Sequence, residues 1–173
     1  MSAKSLPEHL LEQARHLGSR ERTRPRQASL RRAVSTAYYA LFHLLIREAV
    51  RQIGPNLSDD HFNRIYRWFD HGTMYQVAKE FRQKVVRIRN SKEVLIKSNI
   101  GAIQFVAELF VDLQEMRHAA DYDPGAVFQR AEVLQKIGWI EDAFLTWPRV
   151  KSLPECNAFL LSLLHWEKWG KRG

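Results

Sequence analysis

The chain is predicted to be all-α, an up-and-down antiparallel bundle of about six to seven helices. Three observations lead there. Apolar residues recur every three or four positions through most of the sequence, and no stretch alternates with the period of two that a half-buried strand requires. Helix-start and helix-stop residues punctuate those periodic runs at helical lengths. The third is AVSTAYYALFHLLI, Ala33 to Ile46, which runs fourteen residues without a charge in a chain that is 27% charged. Such a run calls for a helix covered on most sides.

Taken in order, Ser5 is placed to cap a first helix from about Leu6 to Leu17, with Pro7 in its first turn and Gly18 beyond its end. The connector GSRERTRPRQ follows, with four arginines against one glutamate. A long second helix is predicted from Pro25 to Ile53, stopped by Gly54-Pro55. Ser58 caps a third, whose first turn carries Asp59 and Asp60 at the positive end of the helix dipole, reaching about Asp70. TMYQVAKEFRQKVVRI forms a fourth, with Val77, Phe81, Val85 and Ile88 on one stripe, and RNSKEVLIKSN is a basic connector. Ile103, Val106, Phe110, Leu113 and Met116 recur at helical spacing in a fifth, from Ile100 to Ala120, with Ala102, Leu109 and Ala120 widening the face.

DYDPG breaks that helix. Asp123 is expected to cap a sixth with Pro124 at its first position, continuing from Ala126 to Phe144, and WPRVKSLP is a turn region. A final amphipathic helix, Pro154 to Trp169, buries Phe159, Leu160, Leu163 and Leu164, and its aromatic end HWEKW packs back onto the bundle. The organisation expected is an N-terminal helix and basic connector over residues 1–24, a bundle over 25–147 and a C-terminal helix packed on it over 148–173.

Composition narrows the function classes. With 45% hydrophobic residues the chain is far from disordered compositions and should fold without a cofactor. Its one cysteine, Cys156, excludes an internal disulfide and any multi-cysteine zinc site, so no metal is expected. SLPEHLLEQARHL is broken by Glu8, Glu12 and Arg15 and does not read as a secretory signal, and the uncharged run falls short of the roughly 20 residues that cross a bilayer. A cytoplasmic protein without a membrane partner is expected. The net charge is +8 and arginine outnumbers lysine two to one, which favours an anionic partner such as RNA or a nucleotide.

Two places carry chemistry. In the second helix, Leu30, Val34, Ala37, Leu41 and Leu44 form one apolar seam, and Tyr38, Phe42, Leu45 and Ala49 another. Between them runs a polar file, Ser35, Tyr39, His43 and Arg47, each four residues after the last and so on one face. A file set between apolar seams needs hydrogen-bond partners from another helix. It is either a satisfied core or the floor of a site. The second place is QEMRHAADYDPG, which brings Arg117, His118, Asp121, Tyr122 and Asp123 within two turns. Arginine beside a hydroxyl or imidazole can bind a phosphodiester and stabilise the charge that develops on its cleavage. Equally, Arg117 can pair with Asp121 while Tyr122 packs into the bundle.

LRRAVSTAYYALFHLL followed by LQEMRHAADYDP, on two long helices in that order, resembles the HEPN family over residues 27–144. The first motif is similar to the family's opening helix, with Ala-Tyr-Tyr and an aromatic-His pair; the second resembles the Arg-x-x-Ala-Asp-Tyr-Asp of one branch. The resemblance implies an up-and-down bundle that forms a homodimer and binds RNA. It further implies either a metal-independent endoribonuclease serving as a toxin or defence effector, or a non-catalytic module that binds a nucleotide or a partner such as a nucleotidyltransferase. Catalytic positions carried over are Arg117, His118 and Tyr122. Tyr39, His43, Arg47, Asp121, Arg31 and Arg32 are the nucleic-acid or nucleotide contacts.

In active members an arginine and a histidine are separated by four to six residues. Here, with four residues between it and Arg117, Tyr122 stands in the histidine position, and a phenol with a pKa of about 10 is a poor general base at neutral pH. His118 is the imidazole nearest in sequence. Arg64 and His71 also show the spacing, but on a different helix and at a frequency chance explains. RWFDH is expected to pack through Trp68 and Phe69, with His71 near a helix end.

Overall fold

The computed structural model describes residues 4–21, 23–83 and 100–169, with side chains for all of these but 100 and 165–169. It is all-α, with seven helices and no strand among the described residues: α1 (Leu6–Ser19), α2 (Gln27–Ile53), α3 (Asp59–Tyr66), α4 (His71–Phe81), α5 (Ile100–Tyr122), α6 (Arg130–Val150) and α7 (Pro154–Trp169). The predicted stripe positions Val85 and Ile88, the connector after them and the side chains of HWEKW lie outside the described residues. Two compact units are formed, one from Met1–Leu44 with Leu109–Leu145, the other from Leu45–Glu108 with Thr146–Gly173.

In the first unit α2 and α5 run antiparallel. Arg31 of α2 reaches the carbonyl of Ala120, while Tyr38 meets Gln114 and Phe110, so rising numbers on one helix meet falling numbers on the other. Both seams of α2 are buried as expected, and in this unit Tyr38, Leu41, Phe110, Leu113, Ile137 and Ile140 are among the largest side chains with essentially no exposure. Burial of that kind stabilises by about 1.5–3 kcal/mol per large apolar side chain. α1 packs on α6 through Gly18, which sits inside the helix and is buried. A Cβ there would stand 3.1 Å from a methyl of Leu134, so glycine at this position permits the close approach of two helices and does not end the first. Ser5 donates its backbone N–H and its hydroxyl to Glu8, at 2.6 and 2.8 Å, which fastens the start of α1.

Three further boundaries differ from expectation, each for a physical reason. The sixth helix begins at Arg130 and Asp123 does not cap it. Asp123 Oδ1 instead accepts the N–H of Gly125 at 2.8 Å, closing a side-chain turn over Pro124. Gln27 then holds both backbone groups of Phe128, accepting its N–H and donating to its carbonyl, each at 2.9 Å. Paired in this way, Phe128 is withheld from a helical turn, and α6 starts two residues later. The second difference lies in WPRVKSLP, where α6 continues through Pro148 to Val150. The proline removes one N–H from the ladder, but Trp147 beside it is buried and anchors the turn. The third is α3, which stops at Tyr66 because Asp70 is already the cap of α4.

In the second unit α4 packs on α7, with the Phe81 and Phe159 ring centroids 5.1 Å apart. Met74, Val77 and Ala78 on α4, and Cys156, Leu160 and Leu163 on α7, are buried with them. Burial pushes the Cys156 thiol up to about 11, which leaves it an inert core residue at neutral pH. Phe69 is buried as expected, whereas Trp68 is exposed, since it falls in the short turn between α3 and α4.

Asp70 Oδ1 accepts the backbone N–H of Thr73 at 2.8 Å. Desolvation raises the carboxyl's pKa, but the hydrogen bonds from Thr73 and Gly72 and the nearby His71 outweigh it and hold the value below the ordinary 3.8. Asp70→Ala should therefore cost about 1 kcal/mol at neutral pH, as other caps do. Because the folded value lies below 3.8, this contribution is complete above 3.8 and is lost as pH falls through the lowered folded value. Urea titrations of both proteins at neutral and strongly acidic pH check this, and a difference that persists in acid would refute it.

Candidate functional site

The site lies within the first unit, where Ser35 and Tyr39 of the polar file face the last two turns of α5. Arg117 is its centre. The guanidinium Nε stands 2.9 Å from Asp121 Oδ2, an ion pair within one helix turn, with only 17% of the arginine side chain exposed. The Nε–H is poorly aligned for a hydrogen bond, so the contact is chiefly coulombic. The other oxygen of Asp121 accepts the hydroxyl of Ser35 at 2.6 Å, which ties the carboxylate to α2. Nη2 donates to the Tyr39 hydroxyl at 3.3 Å. Nη1 has no hydrogen bond to any described residue.

Three tyrosines surround the guanidinium, with ring centroids 5.8, 5.6 and 5.9 Å from its carbon for Tyr38, Tyr39 and Tyr122. Burial alone would favour the neutral form of Arg117. Tyr39, Asp121, Tyr122 and Tyr38 together outweigh that and raise its pKa above the ordinary value. The arginine is a permanent cation and serves as an electrostatic group, never as a base. Burial likewise pushes the Tyr38 phenol well above its usual range, only partly offset by Arg117, so this hydroxyl stays protonated.

The other expected residues divide into those brought here and those held elsewhere. His118 is exposed and its ring lies 5.0 Å from that of Tyr122, tilted by 48°. His43 stacks on Tyr39 at 6.0 Å and 24°, with Phe42 edge-on to it at 5.2 Å, and so supports the floor from below. Arg31 is engaged elsewhere in the same unit. It donates to the carbonyl of Ala120 at 2.9 Å and to those of Asp123, Pro124 and Ala126 at 2.8, 3.0 and 2.6 Å, with Phe128 beneath it at 5.9 Å. It closes the C-terminal end of α5 and the loop that follows. Arg32 is exposed on α2, its side chain unbonded to any described residue. Arg47 belongs to the second unit, where its Nε stands 3.1 Å from buried Glu48, with Arg51 at 3.4 Å on the same carboxylate oxygen.

Ser35 and Tyr38 complete the site although the motif residues did not include them as contacts. Ser35 was visible as the first member of the polar file. Tyr38, by contrast, reads in sequence as an apolar seam residue, and only the crossing of α5 puts its ring face toward a cation.

Among the described residues no cluster of three histidine, cysteine or carboxylate side chains has the arrangement of a metal site. No helix among them is long and apolar enough to cross a membrane. Comparison with protein-family models, curated proteins and solved structures finds no match.

Proposed function

We propose that this chain is an RNA-binding protein of the HEPN type in which Arg117 contacts a phosphate and Tyr122 and His118 line the cleft. The observation that supports this is the way Arg117 is held: Asp121 and Tyr39 orient the guanidinium while Nη1 remains unbonded among the described residues. A fixed planar cation with a spare donor suits a phosphodiester oxygen. The net charge of +8 and exposed Arg32 add the general attraction that RNA binding needs.

In the cleaving version of this reading, a ribose 2′-hydroxyl gives its proton to the His118 imidazole and attacks the adjacent phosphorus. The bond to the 5′-oxygen breaks as that oxygen takes the proton from the imidazolium, and a cyclic phosphate and a 5′-hydroxyl are released. Arg117 stabilises the charge on the phosphorane. The working form is a homodimer that puts two copies of Arg117 in one groove, acting as a toxin or defence effector. A non-catalytic reading, in which the module binds a nucleotide or a nucleotidyltransferase partner, is favoured by one observation: Arg117 already carries a carboxylate counter-ion, fixed by Ser35.

The test is titration of transfer RNA and total RNA with the purified protein and with Arg117→Ala, in EDTA. The variant should bind about tenfold more weakly, with a salt slope reduced by about one phosphate contact. Cyclic-phosphate ends formed by the wild type alone identify the cleaving version, and binding without cleavage the other. Failure of the wild type to bind RNA at low salt, or unchanged binding by Arg117→Ala, would overturn the assignment.

A further inference from the structure

We propose that Tyr122, braced by His118, is a stacking platform for an unpaired base, so that the RNA taken at this site is single-stranded. The inference rests on the RNA-binding reading above and gives Tyr122 a recognition role in place of proton transfer.

The three tyrosines around Arg117 differ in what the fold does with them. Tyr38 is fully buried and its hydroxyl donates to Gln114 at 3.2 Å. Tyr39 is half-buried and its hydroxyl accepts from Arg117. Tyr122 is 66% exposed, and its hydroxyl has no hydrogen bond to any described residue. It is therefore neither a core ring nor part of the polar network.

Its position is nevertheless defined. His118 lies one turn earlier with its ring against that of Tyr122, and the Arg117 guanidinium lies 5.9 Å from the ring centre. The helix end that carries Tyr122 is tied down by Arg31, which holds the carbonyls of Ala120 and Asp123 on either side. A ring oriented in advance loses little freedom when a second ring stacks on it. Every base offers a π-face, so such a platform accepts single strands of varied sequence. An A-form duplex keeps its bases inside the stack and presents Tyr122 with backbone alone. Arg117 beside the same ring then meets the phosphate that adjoins the stacked base.

Fluorescence anisotropy at fixed low salt tests this with a short oligouridylate, an RNA duplex of equal length, and an abasic ribose-phosphate strand of equal length. The wild type should bind oligouridylate about tenfold more tightly than either other probe. Tyr122→Phe should keep that preference, and Tyr122→Leu should reduce oligouridylate binding to the level of the abasic strand. The indole emission that Tyr122→Trp adds to that of the five native tryptophans, read as the difference from the wild type, should be quenched by oligouridylate and left unchanged by the abasic strand. Equal binding of the three probes by the wild type, or a preference kept by Tyr122→Leu, overturns the platform and leaves the Arg117 phosphate contact standing. Absence of binding to all three removes the RNA-binding reading and the platform together.

Discussion

Replacing Arg31 with alanine should lower the free energy of unfolding by about 3 kcal/mol, and the melting temperature by about 8 °C. One guanidinium satisfies four carbonyls, those of Ala120, Asp123, Pro124 and Ala126, three of them through the same Nη2. Hydrogen bonds from a charged donor contribute about 1.5–3 kcal/mol when single, and bonds that share a nitrogen do not add in full. Water can reach part of this loop and will restore some of the loss. Arg31→Lys should recover less than half, because a point charge cannot span carbonyls that a planar fork can. Urea denaturation followed by circular dichroism measures both variants. A loss below about 1 kcal/mol for alanine would mean that the clasp is solvated in the folded state.

Tyr38→Ala should be more costly still, about 4 kcal/mol, whereas Tyr38→Phe should cost about 1 kcal/mol. The ring is fully buried and lies 5.5 Å from Phe110 and 5.8 Å from Phe42, so truncation opens a cavity that flanking helices cannot refill. The phenylalanine variant keeps the ring and loses the bond to Gln114, 3.2 Å long, leaving the amide oxygen to find another donor. Equilibrium unfolding of the pair separates packing from hydrogen bonding. Equal losses in the two variants would show that the hydroxyl, not the ring, carries the stability.

Much of this architecture is legible in local sequence, because a helix writes its buried face into a repeat of three or four residues. The seams of α2 and the stripe of α5 were readable in that way, and so was the polar file, since residues four apart must share a face. What could not be read is set by partners far along the chain. The start of α6 depends on Gln27 and not on Asp123, although DYDPG has every local feature of a helix start. Arg31 has the residue type of a phosphate contact, but its choice of carbonyls over solvent follows from the crossing of α2 and α5. Likewise Pro148 reads as a stop, and the burial of Trp147 overrides it. In the candidate site, Arg117, Asp121 and Tyr122 were visible as neighbours on one helix, whereas the Ser35 and Tyr39 contacts to them required the fold.

The two bonds from Gln27 to Phe128 span 101 residues. Closing so large a loop carries an entropic cost that must be met before either bond can form. The point at which α6 begins should therefore be set only once α2 and α5 have come together. The register of α6 is thus a product of assembly, and a chain lacking α2 would be free to start that helix at Asp123, where its own local signals place it.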